Sequence, residues 1–120
     1  MSEKPYAIVI EDDPKLSVVF QTALEQAGFD TALDTNGDTY PALLDSAEPA
    51  LVILDLNLPL AFGGDVLDVI RARSPQTVIA VVTADFVNAK TMTRKADHIF
   101  IKPVSVTSLM KLAESVKGAL

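Results

Sequence analysis

The feature that most limits what this chain can fold into is a repeated alternation of two kinds of segment. Short apolar runs of four or five residues are separated by longer stretches with apolar positions at helical spacing. Residues 6–10 open the series, and Ile8, Val9 and Ile10 are β-branched, which favours a strand. Asp13-Pro14 then pairs a capping acid with a proline at the first helical position. Leu16, Val19, Phe20, Ala23, Leu24 and Ala27 follow at helical spacing until Gly28 ends the helix. Residues 31–35 predict a weak, polar strand suited to a sheet edge. A second helix is expected to start near Asp38, after the Asn36-Gly37 turn, with Pro41 tolerable only in its first turn. Further strands are expected at 50–54, 78–82 and 98–101, and further helices at 65–72 and 106–116, the last capped by Ser105. Residues 59–64 predict a loop, and Ser74-Pro75 breaks the third helix. Residues 84–96 fit neither pattern cleanly.

Strands that alternate with helices must cross over, so the sheet is parallel and covered on both faces. Continuous apolar strands suit that double burial. The fold class expected is α/β, a doubly wound five-stranded parallel sheet in the flavodoxin-like order 2-1-3-4-5. At 120 residues the chain is expected to be one domain, 1–120, large enough to bury a core without staples. It has no cysteine, which excludes disulfides and thiolate metal sites. The net charge of -6 argues against a sequence-independent grip on nucleic acid or an anionic membrane. No apolar run exceeds five residues, far below the ~20 that span a bilayer. Met1-Ser2-Glu3-Lys4-Pro5 opens no secretory signal. The expectation is a cytoplasmic protein with no membrane and no nucleic-acid partner, and with no second domain after the last helix.

Sheets of this order bind ligands beyond the carboxyl ends of strands 1 and 3. Strand 1 ends in Glu11-Asp12-Asp13, strand 3 in Asp55, strand 4 in Thr83 and strand 5 in Lys102-Pro103. Glu11, Asp12 and Asp55 therefore converge. Three close carboxylates force one to stay neutral unless cations intervene. Lys102 supplies one positive charge, and Mg²⁺ suits a short set of hard oxygen ligands. A carboxylate, a divalent cation, a lysine and a hydroxyl together suit phosphoryl transfer. Asp13, beside Pro14, is assigned to helix capping. The lone His98 is expected to be exposed and passive. Lys90, Arg94 and Lys95 form a small basic cluster, either a solvated face or a docking patch.

These residues resemble the receiver domain of two-component response regulators over the whole chain. The resemblance rests on Ile10-Glu11-Asp12-Asp13, on 54–59 (Leu-Asp-Leu-Asn-Leu-Pro) with Gly63 four residues later, on Val82-Thr83-Ala84 and on Ile101-Lys102-Pro103. Asn36-Gly37 and Pro49 also fall where that family has them. The resemblance implies that Asp55 is the phosphoacceptor. It implies that Asp12 and Asp55 bind Mg²⁺ directly, the Asn57 backbone carbonyl completes the protein ligands, and Glu11 acts through water. Thr83 and the Ala84 amide would hold phosphoryl oxygens, and Lys102 would pair with the carboxylates and then with the phosphoryl group. Pro103 would follow a cis bond. Pro59 and Gly63 are assigned to turn chemistry in the loop after Asp55. The phosphodonor implied is a histidine kinase or histidine phosphotransfer protein, acting on a stand-alone receiver that switches an output protein the sequence does not name. The chain would not be an enzyme beyond its own phosphorylation and dephosphorylation at Asp55.

Three departures from the family pattern stand out. The switch position that answers to Thr83 is usually aromatic and here is Ile99, while Phe100 should face the other side of the strand. The span from Thr83 to Lys102 is short by about one helical turn, with the deficit between Asp85 and Lys95. The segment holding Asn88, Val87, Thr91 and Thr93 is a poor helix former. The fourth helix is therefore expected to be short, distorted or mobile.

Two other functions compete. A haloacid-dehalogenase-like phosphatase would use the same chemistry, but with its nucleophile on the first strand and a second aspartate two residues on. Here that spacing holds Asn57, and the chain has no room for a cap domain. A phosphorylation-independent interaction module gains weight from Ile99 and loses it from intact Asp12, Asp55, Thr83 and Lys102. A flavin or nucleotide carrier is weaker, since no glycine-rich loop follows strand 1.

Overall fold

A computed structural model describes residues 4–120. Expectations that concern residues 1–3, including the first residues of the supposed leader-free N-terminus, lie outside the described residues. The chain forms β1 (Tyr6–Ile10), α1 (Pro14–Gln26), β2 (Asp30–Asp34), α2 (Tyr40–Ser46), β3 (Leu51–Leu54), α3 (Gly63–Arg73), β4 (Val78–Thr83), α4 (Phe86–Thr91), β5 (His98–Ile101) and α5 (Val106–Gly118). The sheet order is β2-β1-β3-β4-β5 and every pairing is parallel, as expected. No helix among the described residues is long and apolar enough to cross a membrane.

Strand alternation builds two cores, one on each face. Ala7, Val9, Leu51 and Ile53 pack with Phe20 and Leu24 of α1 and Leu109 of α5. Ile8, Ile10, Val52 and Leu54 point the other way, to Val66, Leu67 and Ile70 of α3. Burying one such side chain stabilises by about 1.5–3 kcal/mol, and β1, β3 and β4 are apolar on both faces. That is why the central strands are legible as unbroken apolar runs.

Local chemistry sets the boundaries. Asp13 caps α1 by accepting from the N–H groups of Lys15 (2.9 Å) and Leu16 (3.0 Å). Gly28 leaves that helix at φ +96°, a left-handed conformation open to glycine. α2 begins at Tyr40 rather than near Asp38, because the Asp34 carboxylate accepts from the N–H groups of Gly37, Thr39 and Tyr40 and holds the residues before Tyr40 in a turn. β2 ends at Asp34, not at residue 35, for the same reason.

α3 starts at Gly63, two residues earlier than the expected 65–72. A Cβ on Gly63 would lie 2.4 Å from Leu56 Cα and 2.5 Å from the Asp55 carbonyl oxygen. Gly63 is therefore required by close helix-to-strand approach, not by turn chemistry as the sequence suggested. Its N–H donates to Leu56 O at 2.8 Å, which ties the helix to the end of β3. α4 has six residues and is followed by turns, in agreement with the expected short fourth helix.

Candidate functional site

The carboxyl edge of the sheet gathers side chains from four strand ends. Glu11 follows β1, and its side chain is 1% exposed. Asp55 follows β3 and is also buried. Asp12 beside them is exposed. One carboxylate oxygen from each of Glu11, Asp12 and Asp55 lies within 4.8 Å of the others. The β1–β3 register, Ile10 opposite Leu54, sets this convergence by making residues 11 and 55 neighbours.

Lys102, after β5, reaches across the mouth of this cluster. Its Nζ lies 2.6 Å from Glu11 Oε1 and 3.0 Å from Asp55 Oδ2. The contact with Asp55 is a directed hydrogen bond. The one with Glu11 is a close ion pair, the shorter of the two. Burial pushes the Glu11 carboxyl up to about 7, against the opposing pull of Lys102 and the Asp13 amide. Burial by itself would lower the Lys102 pKa, but the bonds and charges of Glu11 and Asp55 outweigh it and raise it. The donor set offers only hard oxygens, and its three carboxylates share the single ammonium of Lys102. Both features fit a hard divalent cation.

Thr83 ends β4, fully buried, and its hydroxyl accepts from the Asp85 N–H at 3.0 Å. Ala84 is exposed next to it. Asn57 is exposed in the loop after β3, and its N–H donates to Asp55 Oδ1 at 3.2 Å. The Lys102–Pro103 bond is cis, as expected. The structure thus brings together Glu11, Asp12, Asp55 and Lys102, with Thr83 at the end of β4 and Asn57 and Ala84 on adjoining loops of the same edge.

Ile99 is half-buried on the side of α3 and α4, whereas Phe100 packs on the opposite core with α5. The expected opposition of the two side chains is therefore seen. His98 is exposed and stacks on Phe100 with ring centroids 6.4 Å apart. The basic cluster is divided. Lys95 pairs with Asp68 at 3.2 Å, and Lys90 sits over the Phe86 ring at 4.6 Å.

Comparison with known proteins decides the family. The model of the response regulator receiver domain matches residues 7–114. The chain belongs to that family. It is 32% identical over 111 residues to the sensory transduction protein RegX3 of Mycobacterium tuberculosis, covering 91% of this chain and 49% of the relative. It is 33% identical over 107 residues to the DNA-binding response regulator MtrA of Mycolicibacterium smegmatis, covering 86% and 46%. The receiver spans about half the length of these curated relatives. Its backbone matches a CheY-like receiver domain from Methanospirillum hungatei with a TM-score of 0.86 at 21% identity, over 97% of this chain and 96% of that one.

Several residues that shape this receiver escaped the sequence reasoning. Asp34 organises the β2–α2 turn, and its only signal is an acid two residues before Asn36-Gly37. Arg71 bridges α3 to the end of the fourth crossover through Asp97. Asp85 caps α4 beside the site.

Proposed function

We propose that this receiver accepts a phosphoryl group on Asp55 from the histidine of a kinase or phosphotransfer protein, and that the modified domain changes its interactions with an output protein. The observation that carries the reading is Asp55 itself. It is a buried carboxylate with one oxygen on Lys102 at 3.0 Å and two further carboxylates within 4.8 Å. In this reading an Asp55 oxygen attacks phosphorus, a P–O bond forms, and the P–N bond to the donor imidazole breaks. The imidazole leaves with the bonding electron pair and takes a proton. Hydrolysis of the acyl phosphate later restores the carboxylate.

Asp12, Asp55 and the Asn57 carbonyl would hold Mg²⁺, with Glu11 acting through a water. When bound, the ion neutralises charge on the phosphoryl oxygens. The Thr83 hydroxyl and Ala84 amide would bind two of those oxygens. Lys102, freed from Asp55, would hold a phosphoryl oxygen in turn. Each neutral or cationic donor acts where negative charge gathers during transfer.

We assign the chain to one receiver unit over 1–120, located in the cytoplasm, with no membrane contact. The name of MtrA makes that protein DNA-binding, but the alignment covers less than half of it. The net charge of -6 supports a receiver that does not itself grip nucleic acid.

The test is labelling with acetyl phosphate in the presence of Mg²⁺. We expect one phosphate per chain, at Asp55, and none in Asp55→Asn, since an amide is not the nucleophile. Label retained in Asp55→Asn would overturn the assignment. Rapid multiple turnover of a small phosphate ester would favour the phosphatase instead.

A further inference from the structure

The two ends of α4 are held in different ways. Beyond its C-terminal end, Arg71 donates to Lys95 O at 3.2 Å and to Asp97 Oδ2 at 2.8 Å. The same Asp97 oxygen accepts from the Ile79 N–H at 2.8 Å, so this end is stitched to α3 and β4 together. Ala89 and Met92, the buried side chains of the segment, also lie in this half. The first turn has no such anchor, since Phe86 is 56% and Val87 75% exposed.

Asp85 holds that first turn. Its carboxylate accepts from the Asn88 N–H at 3.0 Å and from Asn88 Nδ2 at 2.6 Å. Its own N–H donates to Thr83 Oγ1 at 3.0 Å. The side-chain amide of Asn57, in the acceptor loop, also faces the carboxylate. One residue therefore touches the Thr83 hydroxyl, the loop after Asp55 and the start of α4.

We propose that Asp85 is the coupling residue through which occupancy of the acceptor site reaches the first turn of α4. The inference rests on the phosphoacceptor function above. A threonine hydroxyl can donate to one partner while accepting from another. Drawing the Thr83 hydroxyl toward a phosphoryl oxygen therefore either carries the Asp85 amide with it or releases it. Both outcomes shift the cap, and a cap acts only within hydrogen-bond range of its helix. A helix of six residues has little stability of its own, so its first turn follows its cap. Ile99, which lines the shallow groove between α4 and β5, carries no polar atom with which to answer Thr83. Asp85 is a positioning residue in this scheme and touches no reacting atom.

Amide hydrogen exchange over residues 86–91, with and without phosphate on Asp55, tests the coupling. In the native chain, phosphorylation should change exchange in the first turn about fivefold, the size of one capping interaction. Asp85→Ala should still label Asp55, exchange faster in both states and lose the difference between them. Asp85→Ser, which restores a capping oxygen, should regain the difference. A merely structural cap would leave the difference intact in Asp85→Ala, and that result overturns the proposal. Should Asp85→Ala fail to fold, Asp85→Gly carries the test, because glycine is tolerated at an N-cap and brings no capping oxygen. A full native difference there also overturns the proposal. A native chain that never labels fails the phosphoacceptor function, whereas one that labels without any change at 86–91 fails only the coupling.

Discussion

Two groups of buried acid stand one strand apart on the same edge of the sheet, and the fold treats them in opposite ways. Asp34, at the end of β2, accepts from four backbone amides: Asn36 (3.0 Å), Gly37 (2.8 Å), Thr39 (2.9 Å) and Tyr40 (2.7 Å). Glu11 and Asp55, at the ends of β1 and β3, share the ammonium of Lys102 and receive one longer amide bond each, 3.2 Å in both cases. Backbone amides cannot leave a carboxylate without unfolding the loop that carries them. A lysine ammonium on a flexible four-carbon stem can. Asp34 is therefore a fixed part of the framework, while Glu11 and Asp55 keep a partner that can be exchanged. Burial of an acid does not distinguish structure from chemistry here; the kind of partner does.

The sharpest way to break this contrast is to remove Asp34. The bonds to Gly37 and Tyr40 are buried, and each donor left unsatisfied costs about 1–3 kcal/mol. Asp34→Ala should thus lose about 2–6 kcal/mol, a large share of the ~5–15 kcal/mol typical of a domain. Urea denaturation measures it. The folded fraction should keep the Mg²⁺ response that the proposed function expects of the native chain. A loss below ~1 kcal/mol, or a lost metal response in the folded fraction, would mean that the two groups of acids are not separate in function.

Removing the exchangeable partner should have a smaller and conditional effect. Lys102→Gln leaves Glu11 and Asp55 buried without their cation, which is strongly destabilising when no other charge compensates. Here two compensations remain. Glu11 can keep a proton, since burial already pushes its carboxyl up to about 7. Mg²⁺ can take the place of the ammonium. The loss of stability, about 1–3 kcal/mol at pH 8 without metal, should shrink at pH 6 and shrink again with millimolar Mg²⁺. Thermal denaturation under those conditions checks it. A loss unaffected by pH and by metal would show that Lys102 is as fixed a partner as the amides around Asp34.

The contrast also explains what could be deduced in advance. β5 was expected at 98–101 and is found at His98–Ile101, because an apolar run between Asp97 and Lys102-Pro103 has clear ends. The start of α1 was legible in Asp13-Pro14 and its end in Gly28, because capping and left-handed backbone leave marks on single residues. The convergence of Glu11, Asp12 and Asp55 followed from strand order alone, since parallel strands deliver their last residues to one edge. What stayed hidden depended on partners distant in sequence or on the space around a residue. The start of α2 is not legible locally, because Asp34 captures amides as far as six residues away. Gly63 looks like turn chemistry in the sequence because nothing there reports its approach to the Asp55–Leu56 backbone. The Arg71–Asp97 clamp joins residues 26 apart, and no local pattern marks it.

The smallest expected effect concerns protons. Burial pushes the Glu11 carboxyl up to about 7 in the folded chain, from the ordinary 4.5 that it regains on unfolding. Between those values the folded state holds the extra proton. Its contribution therefore favours folding at the acid end and fades as pH rises toward 7. A metal that needs the ionised cluster must displace that proton, so Mg²⁺ binding should strengthen with pH, by at most about tenfold per unit for one proton, and level off above about 7. The rise in melting temperature caused by a fixed millimolar Mg²⁺ concentration, measured from pH 6 to pH 8.5, should follow that curve. Asp12→Ala should remove most of the rise at every pH, because it takes away the exposed oxygen of the set. A metal effect equal at pH 6 and pH 8.5 would mean that Glu11 is already ionised in the free protein, and that its lysine contact is as permanent as the amide cage of Asp34.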